Sequence, residues 1–149
     1  MVLKSGVYQH FMLLLQQKIQ QLQQVLGELK ETGANETKST AGDKHETALA
    51  MIQIEQANKR AQLNELFAQK AAMDKIDPML FSDHIIVGSL VKTNRGNFFL
   101  SAALGKATIN GLVITAISPQ SPLGRKLVAL KAGDTAEVNG NHFEIESIR

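Results

Sequence analysis

The chain has 149 residues, enough for one ordinary domain or for a small domain with a helical extension. Aromatic residues make up 5% with no Trp, which argues against a large core, and a net charge of +2 gives no chain-wide electrostatic footprint for nucleic acid. The absence of Cys excludes disulfides, thiol catalysis and Cys-ligated zinc, and fits a reducing compartment.

The first apolar run, Phe11-Met12-Leu13-Leu14-Leu15, is too short to span a bilayer and is followed by no small-residue cleavage site. A cytoplasmic protein with no membrane partner is the expectation. Residues 7–31 read as one helix, with Tyr8, Phe11, Leu15, Ile19, Leu22, Leu26 and Leu29 forming a near-heptad seam. A Gln-rich face (Gln16, Gln17, Gln20, Gln21, Gln23, Gln24) lies between them. Residues 32–42, with Thr32, Gly33, Asn35, Thr37, Ser39, Thr40 and Gly42, have loop chemistry.

A second helix is predicted from Asp43 to Asp74. Asp43 suits its N-cap, and Glu46 the N3 position of a capping box. Leu49, Ile52 and Ile54 begin its apolar face, and Ala50, Ala57 and Ala61 are expected to allow close approach to the first helix. About 30 helical residues would extend roughly 45 Å. If the helices pair as an antiparallel hairpin, Asp43 and Glu46 fall at its tip, where acids serve presentation better than stability.

Asp77-Pro78 ends the helical half, because the residue before Pro is pushed out of the α region. The period then changes. Strands are predicted at 84–91, at 98–100 after a turn at 94–97, and at 112–117. Ser121 to Leu130 is a loop leading into a short helix. Residues 135–138 and 142–148 form a hairpin around Asn139-Gly140-Asn141. The expected fold class is α+β. A helical coiled-coil hairpin over 1–77 precedes a small, mostly antiparallel β domain with a short helix over 78–149.

Two stretches now carry a resemblance. Gly42-Asp43-Lys44-His45-Glu46-Thr47-Ala48 looks like the tip pattern Gly-Asp-x-x-Glu-Asn-Ala of the bacterial Gre family of transcript-cleavage factors. Ser121-Pro122-Leu123-Gly124-Arg125-Lys126-Leu127-Val128, followed by Lys131-Ala132-Gly133-Asp134, resembles that family's Ser-Pro-(Ile/Leu)-(Ala/Gly)-Arg-x-Leu-(Ile/Val) stretch and its Gly-Asp turn. Their order, with a helical hairpin before the strands, covers nearly the whole chain. Thr47 replaces the family Asn, Leu49 and Ala50 replace the usual Glu-Tyr, and Gln120 stands where some members have an acid.

The resemblance implies a coiled coil joined to an FKBP-like domain, in a monomeric elongation factor that binds RNA polymerase. The tip would enter the polymerase's secondary channel and stimulate cleavage of backtracked transcripts at their 3′ end. The chain would not be an enzyme itself. Asp43 and Glu46 would be lent to the polymerase's own Mg²⁺ site, Asp43 to the metal and Glu46 to the metal or the attacking water, with no cofactor of the chain's own. Lys44, Lys59 and Arg60 would approach RNA, with Lys38 and His45 also flanking the acids. Ser121, Pro122 and Arg125 would dock on the polymerase rim.

Each of these residues also has a plain structural reading. Asp and Glu at a helix start are favoured by capping and the macrodipole. The lysines and arginine suit a solvated face, and Ser121-Pro122 suits an ordinary turn. His10, His84 and His142 lack metal-ligand spacing and read as surface residues. The departures at Thr47, Leu49 and Ala50 motivate an alternative, a channel-binding inhibitor that does not cleave. A peptidyl-prolyl isomerase is disfavoured, because the second half offers only Phe81, Phe98, Phe99 and Phe143 to line a pocket. A plain coiled-coil adaptor is a further reading. No phosphate-binding Gly-rich loop, nucleophile elbow or zinc motif appears.

Overall fold

The structure, a computed structural model, describes residues 3–37 and 43–149, the side chains of residues 36, 37 and 43–45 excepted. Two long helices come first, α1 (Lys4–Thr37) and α2 (Asp43–Asp74). They are followed by β1 (Leu90–Thr93), β2 (Gly96–Leu100), β3 (Gly105–Ile109), β4 (Leu112–Ile117), α3 (Pro122–Leu127), β5 (Thr135–Val138) and β6 (Asn141–Ile148). The chain forms two compact units, one of Met1–Leu14 with Gln69–Arg149 and one of Leu15–Ala68. The expected division at Asp77-Pro78 falls inside the first.

In the Leu15–Ala68 unit the helices run antiparallel, with Gly33 of α1 beside Ile52 and Gln56 of α2. Half-buried residues on α2 recur at Leu49, Ile52, Gln56, Lys59, Leu63 and Leu66. These alternating steps of three and four define a heptad seam. On α1, Leu22, Leu26 and Leu29 are half-buried at matching steps, and the predicted Gln-rich face is exposed throughout.

Two expectations for this unit fail. Residues 32–37 are helical. Thr32 Oγ donates to the Glu28 carbonyl at 2.9 Å, which satisfies the hydroxyl within a helix, and Gly33 is buried by tertiary contact that overrides its low propensity. Ala50, Ala57 and Ala61 are exposed, and so is Ile54 at 63%. The seam is phased on 52, 56, 59 and 63, which turns those four side chains away from α1.

The other unit is built on a six-stranded sheet of order β3-β4-β2-β1-β6-β5. All neighbours are antiparallel except β2 and β4. Leu90, Phe99 and Ala116 align across β1, β2 and β4. Their neighbours Val91 and Leu100 therefore point to the opposite face. On the first face Phe11 of α1 stacks on Phe99, and Val7, Met73 and Ile76 are buried. On the second, Ile85, Val91, Leu100, Leu127 and Ile145 form a buried cluster, with Leu123 and Leu127 supplied by α3.

The strand predicted over 84–91 is mostly irregular. His84 makes only an isolated bridge to Lys131, and the chain turns at Gly88 (φ 99°) before β1 begins at Leu90. A Cβ at Gly88 would lie 2.9 Å from Ile76 Cγ2, so that close turn needs glycine. Sequence reading also missed β3, which joins β4 through Asn110-Gly111. Both turn residues have positive φ (50° and 79°), the type I′ pattern that the expected hairpin at Asn139-Gly140 repeats (52° and 80°).

Candidate functional site

The two groups of predicted site residues belong to different units, the tip residues to Leu15–Ala68 and the docking residues to the sheet unit. α2 is helical from Asp43 onward, and Glu46 is exposed three residues later. That spacing puts both positions on one side of a helix start, with the positive end of the macrodipole behind them. The capping expectation for Asp43, and those for the side chains of Lys44 and His45, lie outside the described residues, as does Lys38.

The basic pair does not form one patch. Lys59 is turned into the seam, half-buried, with Nζ 3.5 Å from Glu55 Oε1 one turn earlier. Arg60 is exposed and about 100° further round the helix. Only Arg60 is placed to meet a solvent-borne phosphate without breaking an existing ion pair.

The Ser121-Pro122 stretch is a helix start in which Ser121, Pro122 and Gly124 have local tasks. Ser121 is the N-cap of α3, and its Oγ accepts from the Gly124 N–H at 3.0 Å and donates to the Ser118 carbonyl at 2.6 Å. Pro122 takes the first turn, where its missing N–H costs nothing. Gly124 is buried, and a Cβ there would lie 2.1 Å from the Ser118 carbonyl oxygen. Ser121 and Gly124 therefore shape the turn, while Pro122, Arg125 and Lys126 face solvent and are free to meet a partner.

Sequence reading missed Lys4. It is buried at the start of α1, donates to the Leu80 carbonyl and lies 4.5 Å from the centroid of the Phe81 ring. Burial pushes its ammonium below the usual lysine range, and Asp77 partly opposes that shift. The segment it holds displays Met79, Leu80 and Phe81, exposed by 70%, 57% and 63%. A lysine at a helix start carries no signal of burial in sequence.

Ser82, Asp83 and His84 bring together the residue types of a hydrolase triad. His84 Nδ1 lies 2.9 Å from Asp83 Oδ1 and 3.1 Å from Ser82 Oγ. One ring nitrogen thus serves both neighbours, so the imidazole cannot pass a proton across itself as a triad requires. The hydrogen bond from His84, with Lys131 nearby, holds the Asp83 carboxyl below its usual range. His84 and His142 are exposed, and His10 meets Phe11 edge-on. Among the described residues no group of three His, Asp or Glu could hold a metal ion, and no helix is long and apolar enough to cross a membrane.

No protein-family model matches the chain, and no curated protein matches it. Among solved structures the chain is similar to the crystal structure of GreA factor homolog 1 (Gfh1) protein of Thermus thermophilus. The two are 16% identical with a TM-score of 0.37, over 93% of this chain and 94% of that one. It is similar also to a structure of the transcription factor Gfh1, at 17% identity and a TM-score of 0.36, over 99% and 95% of the two chains. Superpositions at that level leave function to be argued from the residues.

Proposed function

We propose that the protein is a Gre-like elongation factor that binds RNA polymerase in the cytoplasm. As a monomer it inserts the tip of its helical hairpin into the secondary channel and stimulates cleavage of backtracked RNA. The observation that carries this reading is the occurrence, in order in one chain, of the Gly42-Asp43-x-x-Glu46 pattern and the Ser121-Pro122-Leu123-Gly124-Arg125 pattern. The first opens a long helix of an antiparallel pair, and the second opens a capped helix with an exposed basic residue.

The chain supplies ligands rather than a complete active site. Asp43 adds hard carboxylate oxygens, which suit a magnesium ion held by the polymerase. Glu46, three residues on, orients or deprotonates the attacking water from the same side. Two-metal hydrolysis gains most where the second ion is otherwise weakly held. Pro122 and Arg125 meet the polymerase rim, with Ser121 fixing the turn. Arg60 and Lys44 approach the RNA 3′ end, and Lys59 joins them only by leaving Glu55.

The channel-blocking alternative keeps the same partner. It is favoured by Leu49, which stands in place of the family's acid and is half-buried in the seam. Transcript cleavage by a backtracked elongation complex separates the two. Cleavage that depends on Asp43 and Glu46 supports the first reading, and slowed elongation that survives their removal supports the second.

A further inference from the structure

Apolar support thins along the Leu15–Ala68 hairpin. On α1 its last buried side chains are Leu15 and Ile19, and Leu22, Val25, Leu26 and Leu29 beyond them are only half-buried. On α2 no side chain is buried over residues 46–68. Gly33 is buried but brings no side chain to the seam, and Ile52 and Gln56 lie beside it. A half-buried leucine contributes only part of what full burial gives, so each turn toward the tip is held more weakly to the turn before it.

A polar level interrupts even this seam. Both helices have the same rise, so with Gly33 beside Ile52 and Gln56, Leu29 stands level with Gln56 and Lys59. Leu26 and Leu22 then stand level with Leu63 and Leu66. At the Leu29 level α2 gives the seam a carboxamide and an ammonium, where a heptad seam gains stability from two apolar residues. A lysine covers a neighbouring leucine only with its stem. The Lys59 Nζ turns to Glu55 Oε1, 3.5 Å away on the same helix, so that ion pair ties nothing across to α1. On the tip side of this level α2 keeps only Leu49 and Ile52 as large half-buried side chains. On the other side Leu63 and Leu66 meet the leucines of α1, and that seam ends on the buried Ile19 and Leu15.

We propose that the hairpin opens in two steps, with the Gln56–Lys59 level as the boundary. The tip-side segments, residues 29–35 and 46–56, separate and lose helical hydrogen bonds while residues 15–26 and 63–68 stay paired. Few buried apolar contacts on one side of a polar level let that side open without the rest. An apolar residue in place of Lys59 joins the two parts into one cooperative unit. This device is independent of what the tip meets. If the proposed function holds, Asp43 and Glu46 ride on the part that opens, a narrow channel selects its closed form, and affinity is reduced by the fraction of molecules that are open.

The test is amide hydrogen exchange of the full chain, read by mass spectrometry as protection factors at low urea concentrations. In the wild type, residues 29–35 and 46–56 should be protected at least about tenfold less than residues 15–26 and 63–68, and their protection should depend less on urea. Lys59→Leu should raise tip-side protection at least about tenfold and bring its urea dependence toward that of the rest. Gln56→Leu should act in the same direction. Lys30→Leu makes the same chemical change at an exposed position of α1 near the same level, and should leave tip-side protection as it was. Equal protection on the two sides of the Gln56–Lys59 level in the wild type overturns the proposal. So does tip-side protection that neither Lys59→Leu nor Gln56→Leu raises, or that Lys30→Leu raises as much.

Discussion

The ring of Phe11, on α1, stacks on that of Phe99, on β2, with centroids 6.1 Å apart and planes inclined by 21°. Both rings are fully buried. The first turns of α1 are thus part of the sheet's core, and they close a contact across most of the chain's length. Phe11→Ala should cost about 3–5 kcal/mol, the usual range for deleting a buried ring. Denaturant unfolding followed by circular dichroism would show the loss as a lower midpoint with little change in slope.

The Ser121 cap and Gly124 should respond differently to the smallest substitutions. Ser121→Ala removes one capping acceptor and should cost about 1 kcal/mol. Gly124→Ala forces a Cβ to within 2.1 Å of a backbone carbonyl, so the turn itself must shift, and it should cost more than Ser121→Ala. Thermal unfolding of the two variants side by side checks that order. A Gly124→Ala protein as stable as wild type would show that the turn is not held as described.

Glycines inside α1 are open to improvement. A Cβ at Gly27 meets nothing within 4 Å, and one at Gly33 would sit 3.6 Å from Ile52 Cγ2, an ordinary contact. Gly27→Ala and Gly33→Ala should each stabilise the helix by up to about 1 kcal/mol. Gly88→Ala should destabilise, because φ is 99° and the added atom meets Ile76 at 2.9 Å. Melting temperatures that rise for the first two and fall for the third are the expected pattern.

What could be read from sequence was what is written locally. The long helices, the Asn139-Gly140 hairpin and the Ser121-Pro122 helix start follow from periodicity and from single residues with fixed conformational habits. The helix through Thr37 was hidden because Gly33 is held by Ile52, nineteen residues away. β3 was hidden because Lys106 and Thr108 face solvent at a sheet edge and leave little apolar pattern, although Asn110-Gly111 marked its turn. Nothing in the sequence placed Lys59 in the seam or Lys4 under Phe81, since both depend on partners remote in the chain. For the candidate site, the spacing of Asp43 and Glu46 was legible, as was the exposure of Arg125.

Lys4 makes stability depend on alkaline pH with a definite sign. Its folded-state value is depressed by burial, so between that value and the ordinary 10.5 the unfolded chain binds more protons and stability rises with pH. Tyr8 acts oppositely. Burial, then Asp74, raises its phenol above 10.0, so stability falls once the unfolded phenol ionises and the folded one does not. Urea midpoints measured upward from pH 8 should show the rising part vanish in Lys4→Met and the fall beyond pH 10 diminish in Tyr8→Phe.

The most direct test is transcript cleavage by a stalled, backtracked elongation complex of the cognate polymerase in Mg²⁺, with wild-type protein beside Asp43→Ala/Glu46→Ala. A factor that lends its tip acids to the polymerase predicts shortened RNA with the wild type and a loss of at least about a hundredfold in rate with the double variant. RNA that stays full length with both proteins, or is shortened equally by both, would contradict it.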